Sequence, residues 1–291
     1  MNNYRLITSF FLFIFFVNGF SQDAVLAKKK IYVPQNLFKE IYKTKDSLGF
    51  IVHDNDTLIE VLDYKKPNGA PVPYEYKDST FLDLYKKVAF KIKHKDSADT
   101  KPMKYWKNPI KIYFSESVDK SVIKDVMSFT QLIDSKVDSL NISRVKNLNQ
   151  ANYIIYYDDD FQFNPNIENY KKSDYSIYWN GNNQIYRGYI RIVKSKMYSN
   201  KLATQKIKSL FFSSLGWFIP QSELACESFF SSCYSSTKQF SAIDEALLKY
   251  HYSYGICKGT TRKVFEAQHE DAKQKLKENN HHNTILLFYH E

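Results

Sequence analysis

The sequence predicts an α+β protein: one large domain built on a mixed sheet, with a small N-terminal extension. Three observations point there. About 270 of the 291 residues remain after an N-terminal leader, enough for one large domain and an appendage. From residue 105 onward, short apolar strands and amphipathic helices follow one another in mixed order. No stretch after the leader is long and apolar enough to span a bilayer.

The leader comes first. Arg5 is the sole charge among residues 1–22, and an apolar run from Phe10 to Val17 follows it. That run is shorter than a comfortable membrane span, and Gly19 and Ser21 supply the small residues that a signal peptidase reads. Residues 1–21 are therefore expected to be a signal peptide cut near Ser21–Gln22, sending the chain to the periplasm or beyond; the alternative is a retained N-terminal anchor. Losing Arg5 lowers the formal charge from +10 to +9, and the excess is spread along the chain. A basic surface favours acidic partners or anionic envelope polymers. Nucleic acid is not expected, because export removes the opportunity and no recognition motif is visible.

Residues 31–98 form the expected N-terminal α+β region. "NLFKEIYKTKDSLGFIVHDNDTLIEVLDY" reads as a short helix and then a hairpin turning at Asn55. "KKPNGAPVPYEY" is a loop, Thr80–Phe90 a helix with Phe81, Leu82, Leu84, Tyr85 and Val88 on one face, and "KHKDSADTKPMK" a polar linker. The core domain is placed at 104–258. "NPIKIYFS" is a strand, and Val122, Ile123, Val126, Met127, Phe129, Leu132 and Ile133 give a helical stripe capped by Ser117 or Ser121. Ile142 and Val145 mark a short extended piece, and "ANYIIYY" is a buried strand running out into Asp158, Asp159 and Asp160. "YSIYW" and "QIYRGYIRIV" pair antiparallel across Asn180–Asn183, with Gly181 supplying the turn. A helix over 202–215 follows, then a Cys-bearing loop, then a helix from Ser241 to about Tyr252 whose Ser241 and Asp244 are close to a capping box. Residues 259–291 are a polar tail, helical or flexible.

Cys226, Cys233 and Cys257 lie in one short region, so one pair can bridge in an oxidising compartment. Cys226–Cys233 closes a single loop and is the first choice; three buried thiols are the alternative. None has the CxxC spacing of a redox or metal site.

The segment "KIKSLFFSSLGWF" (206–218) carries the most information about function. Ile207, Leu210, Phe211 and Leu215 make the stripe of a core-facing helix, ended by Gly216 as a C-cap. The order of elements around it, with an antiparallel edge strand, this helix, a Gly turn, a loop and a last helix, resembles the zincin metallopeptidases. Residues 104–258 also resemble an uncharacterised family of secreted bacterial proteins, often lipoproteins. The resemblance rests on Trp106–Lys107 before "PIKIYF", on Ile190, Ile192, Leu215 and Gly216, on "ESFFSS", and on the ending "SAIDEALLKYHYSYGICKG". It implies a zincin-like core in which the edge strand borders a cleft and the 202–215 helix stands where the metal ligands would be.

The departures decide what that helix can do. A catalytic zinc needs three His or carboxylate ligands, an open position for water, and a Glu to take the water's proton. Here the helix holds Ser209, Leu210 and Ser213 in those places, and Ile219 stands for the third ligand. Ser209 and Ser213 share a face at i and i+4, but neutral hydroxyls are poor zinc ligands and Leu210 cannot be a base. No metal and no cofactor is expected.

Other constellations are weaker. Glu223, Glu227 and Asp158 to Asp160 can hold a hard cation if they converge, though such a run usually solvates a strand exit. Ser209 or Ser213 with His251 would be a nucleophile and base, but nucleophile-elbow glycines are lacking, and His251 fits a helix C-terminus where its charge is favoured. His281 and His282 sit together in the polar tail and suggest no more than a weak metal site. Aromatics form 16% of the chain, and the paired strands alternate Tyr175, Tyr178, Trp179, Tyr186 and Tyr189. With Arg187 and Arg191, Tyr186 and Tyr189 are the expected cleft lining, able to grip an extended peptide or glycan; the plainer alternative is a half-exposed sheet face. The expected role is binding or scaffolding at a bacterial envelope without catalysis, the rival a hydrolase with displaced residues.

Overall fold

The computed structural model describes residues 30–35, 38, 42–53, 56–63, 65, 71–73, 77–90, 101–164, 167, 171–253, 256, 258–278 and 285–287. The signal segment, all of "NLFKEIY" but Phe38 and Tyr42, the turn at Asn55, most of the 93–104 linker, Cys257, His281 and His282 lie outside them. The fold class is α+β: the described residues form α-helices, a three-stranded antiparallel sheet and a six-stranded, mostly parallel sheet. Among the described residues no helix is long and apolar enough to cross a membrane.

The chain divides into two compact units, Met1–Pro67 and Asn68–Glu291. The first holds β1 (Ile31–Pro34), β2 (Ser47–His53) and β3 (Asp56–Val61) in the antiparallel order β1-β3-β2. Val33, Phe38, Tyr42 and Val61 are its buried residues, and the Tyr42 hydroxyl ties the segment after β3 by accepting from the Lys65 N–H at 2.6 Å.

The second unit begins earlier than the composition implied. Helix α1 (Ser79–Ala89), placed by the sequence in the N-terminal region, buries Leu82, Tyr85, Val88 and Ala89 in the main core. Its Asp78 cap accepts from the Phe81 N–H at 2.9 Å. The physical reason is apolar area: Tyr85 and Phe90 meet Phe265 of the C-terminal helix, so the expected linker does not separate folding units.

The large sheet runs β7 (Ile142–Arg144), β6 (Ile110–Phe114), β8 (Tyr153–Tyr157), β10 (Gln184–Ile192), β9 (Asp174–Trp179). The first four are mutually parallel and β9 is antiparallel to β10. Strand β5 (Tyr105–Trp106) pairs with the first two residues of β10. Every residue of β8 is buried, as its apolar run requires of a central strand. A short two-stranded piece joins β4 (Pro71–Pro73) and β11 (Ile285–Leu287).

Side chains alternate between two faces. Tyr153, Ile155, Tyr157, Ile190 and Ile192 face the main core with helices α2 (Lys120–Lys136), α3 (Asn200–Ser214) and α4 (Ala242–Tyr252). Ile154, Tyr156 and Tyr189 face the other way, into a smaller cluster with Tyr113, Phe163 and Tyr178. Helix α5 (Arg262–Glu278) occupies the expected tail and buries Phe265, His269 and Ala272.

Candidate functional site

Helix α3 lies on β9 and β10 and against α2. Ala203, Ile207, Leu210 and Phe211 form its buried face, while Ser209 and Ser213 stay half-buried one turn apart. Beside them Lys206 is desolvated by burial, which lowers its pKa, while Asp174 of β9 opposes the shift. The Ser209 hydroxyl donates to the Gln205 carbonyl at 3.0 Å, a back-bond to its own helix rather than a contact with a ligand. Leu210 is buried, and the Ile219 N–H donates to the Val88 carbonyl at 2.9 Å. Ser209 is thus bonded to its own helix, Leu210 is packed in the core, and the Ile219 backbone, beyond the end of α3, is paired with α1.

The end of α3 is made differently from the sequence expectation. Gly216 is not the left-handed residue; Trp217 is, with φ of 57°. The Phe218 N–H reaches back to the Ser213 carbonyl at 2.8 Å, closing the helix in a Schellman pattern with Trp in the place glycine usually holds. Gly216 is needed for closeness instead. A Cβ there would run into the Phe218 ring and lie 2.9 Å from His251 Nε2. Strand β10 shows the same logic, since a Cβ on Gly188 would overlap the Tyr153 ring. In the β9–β10 turn, too, the positive φ sits on Asn183 (61°) rather than on Gly181, and the Asn180 side chain accepts from the N–H groups of Asn182 and Gln184.

Around that helix end, residues from distant parts of the sequence meet. Trp106 Nε1 donates to the Ser214 carbonyl at 3.4 Å, and the Tyr252 hydroxyl donates to the Leu215 carbonyl at 2.6 Å while accepting from the Trp106 N–H. The Tyr153 hydroxyl shares a 2.7 Å bond with Ser214 Oγ. The Trp106 Nε1 and Tyr252 hydroxyl bonds satisfy carbonyls that a helix C-terminus leaves unpaired. The stretch "ESFFSS" is held by Asp244 of α4, which accepts from Ser228 Oγ (2.6 Å), from the N–H groups of Phe229 and Phe230, and from both Ser241 groups of a complete capping box. Cys226 and Cys233 are joined by a disulfide in the same loop. Phe212, Phe218, Phe229 and Phe230 pack ring against ring beside α3.

His251 is not a charged residue at a helix end. It is fully buried, its Nε2 donates to the Lys104 carbonyl (2.9 Å), and its Nδ1 accepts from the Tyr85 hydroxyl (3.0 Å). Burial lowers its pKa to about 3, so the ring is neutral and both nitrogens are used. The structure therefore does not bring it to Ser209 or Ser213 as a base.

The acidic residues do not converge. Asp158 pairs with Arg191 at 3.7 Å and accepts from the Lys194 N–H, Asp159 pairs with Lys194 at 2.7 Å, and Asp160 accepts from Ser117. Glu223 pairs with Lys87 at 2.8 Å. Among the described residues no group of three His, Cys, Asp or Glu side chains is placed to hold a metal.

The expected cleft lining needs correction. Tyr189 lies in the cluster on the sheet face away from α3, Arg187 donates to its hydroxyl, and the buried Arg191 alternates with Ile190 and Ile192 onto that same side. Tyr186 stands at a register shift between Ile185 and Arg187 and is 49% exposed. The bulge resets which residues of β10 face which side, and periodicity alone could not place it. What does face α3 from the edge strand is Tyr175, Ile177 and Trp179. Trp179 meets Trp217 with ring centroids 5.2 Å apart, and the Lys104 and Lys101 ammonium groups lie over these two rings at 4.6 and 5.7 Å. Sequence reading placed Trp179 among the aromatics of the paired strands but missed its partner, whose one signal was a Trp immediately after Leu215 and Gly216.

No protein-family model matches the chain, and no curated protein matches it.

Proposed function

We propose that the chain is an exported, non-catalytic protein with a zincin-like core, which binds an extended peptide at a bacterial cell envelope. The observation that carries this reading is the chemistry of α3 and the turn after it: on the zincin comparison Ser209, Leu210, Ser213 and, beyond the helix, Ile219 stand for three ligands and a base, and none of these side chains can hold zinc tightly or take a proton from water. The strand order supports it, with an antiparallel edge strand next to the helix. Among the described residues no strand pairs with the outer side of β9, so its backbone groups are a template for strand addition. Trp179, partly exposed at one end of β9 and packed on Trp217, gives that edge an aromatic neighbour for a bound chain. The hydrolase reading finds no specific support, because His251 is neutral, buried and saturated.

Tryptophan fluorescence tests the reading, since Trp179 and Trp217 report on the site. A library of extended peptides should yield saturable ligands that shift the emission and are recovered intact, and N-methylation of a ligand's backbone should abolish binding. Absence of any saturable ligand, or cleavage of the peptides by metal-free protein, would contradict it.

A further inference from the structure

On the opposite side of the large sheet from β9, helix α2 and strand β7 enclose a groove of about 570 Å³, which the role of α3 and β9 does not use. Three cations line it: Lys120 and Lys124, one turn apart on α2, and Arg144 at the end of β7. Among the described residues none of the three makes an ion pair, and no acidic residue lines the groove. Of the acids nearby, Asp134 accepts from the Ile142 N–H at 2.7 Å. Arg144 lies over the Phe114 ring, its guanidinium carbon 5.8 Å from the ring centroid. Ile123, Met127 and Ile142 give the groove an apolar lining, with Gln131 and Ser143 beside them.

We infer that this groove is a binding site for a phosphate ester carrying a small apolar body. Its volume is that of a small-ligand site, and an apolar lining with a few convergent polar groups is the usual construction of one. Three uncompensated positive charges exceed what one carboxylate neutralises. A phosphate ester brings about −1.5 to −2 charges and three acceptor oxygens, enough for a guanidinium fork and two ammonium groups together. The apolar body would cover Ile123, Met127 and Ile142. This inference rests on α2 and β7 alone and stands or falls independently of the reading of α3.

Isothermal titration of the full chain with hexyl phosphate, at low ionic strength, tests it. We expect saturable one-to-one binding that is at least about tenfold tighter than inorganic phosphate and that Lys124→Gln and Arg144→Gln each weaken about tenfold or more. Lys263→Gln, the same loss of charge on the exposed side of α5, should leave it unchanged. Co-sedimentation with phosphatidylcholine vesicles containing phosphatidic acid separates the two sources of this chemistry. Sedimentation lost in the same two variants assigns a lipid headgroup, and hexyl phosphate binding without sedimentation assigns a soluble ester. No saturable binding to hexyl phosphate, equal affinity for inorganic phosphate, or affinity unchanged in both groove variants would overturn the inference.

Discussion

Gly216 and Gly181 look alike in the sequence, each beside an aromatic or polar turn, yet the structure gives them opposite tolerances. A Cβ on Gly216 would meet the Phe218 ring and His251, whereas one on Gly181 would meet nothing. Gly216→Ala is expected to cost about 1–3 kcal/mol through overpacking. Gly181→Ala should stay within about 0.5 kcal/mol, and denaturant unfolding of both variants reads the contrast. His251 and His269 set a second residue-scale expectation. Burial lowers their pKa values to about 3 and about 4, below the ordinary 6.5. The unfolded chain therefore takes up these protons first as pH falls. Their contribution to stability is complete above about 6.5 and is lost progressively as pH drops through 4 towards 3. Urea titrations across that range should show falling stability, and His251→Gln should flatten the curve. A curve equally steep in that variant would mean that His251 is not the neutral ring described.

At the scale of elements, periodicity was enough wherever one face is buried. The stripe predicted over 202–215 is α3, the stripe from Val122 to Ile133 is α2, and the run "ANYIIYY" is the central β8. Phe211, fully buried against the Tyr153 ring at 5.2 Å between centroids, should lose about 3–5 kcal/mol on change to Ala. A measured loss under about 1 kcal/mol would remove it from the core. What periodicity could not supply are events at single positions that depend on distant contacts. The bulge in β10 turns Arg187, Tyr189 and Arg191 away from α3, and the left-handed Trp217 closes that helix where glycine would be expected. Asp244 was legible only as half of a capping box, because its bonds to Ser228, Phe229 and Phe230 join segments that nothing local links. Its replacement by Ala should destabilise by about 3 kcal/mol or more, since buried donors would lose their acceptor together.

At the scale of the whole molecule, the α+β class followed from the order of elements, and the place of one boundary did not. The polar linker suggested that α1 belongs with the N-terminal strands, but the burial of Tyr85, Val88 and Phe90 assigns it to the larger unit. Charge along the chain likewise gave no site: the three cations of the α2–β7 groove come from two segments that only the fold brings together. The central proposal is that the core is zincin-like and works without a metal, and elemental analysis of purified, tag-free protein with a parallel thermal melt tests it most directly. The account predicts far less than one zinc per chain and a Tm unchanged by chelator, because the hydroxyls of Ser209 and Ser213 and the side chain of Ile219 cannot replace imidazole nitrogens. A tightly held equimolar metal whose removal lowers the Tm, or a peptidase activity abolished by chelation, would contradict it.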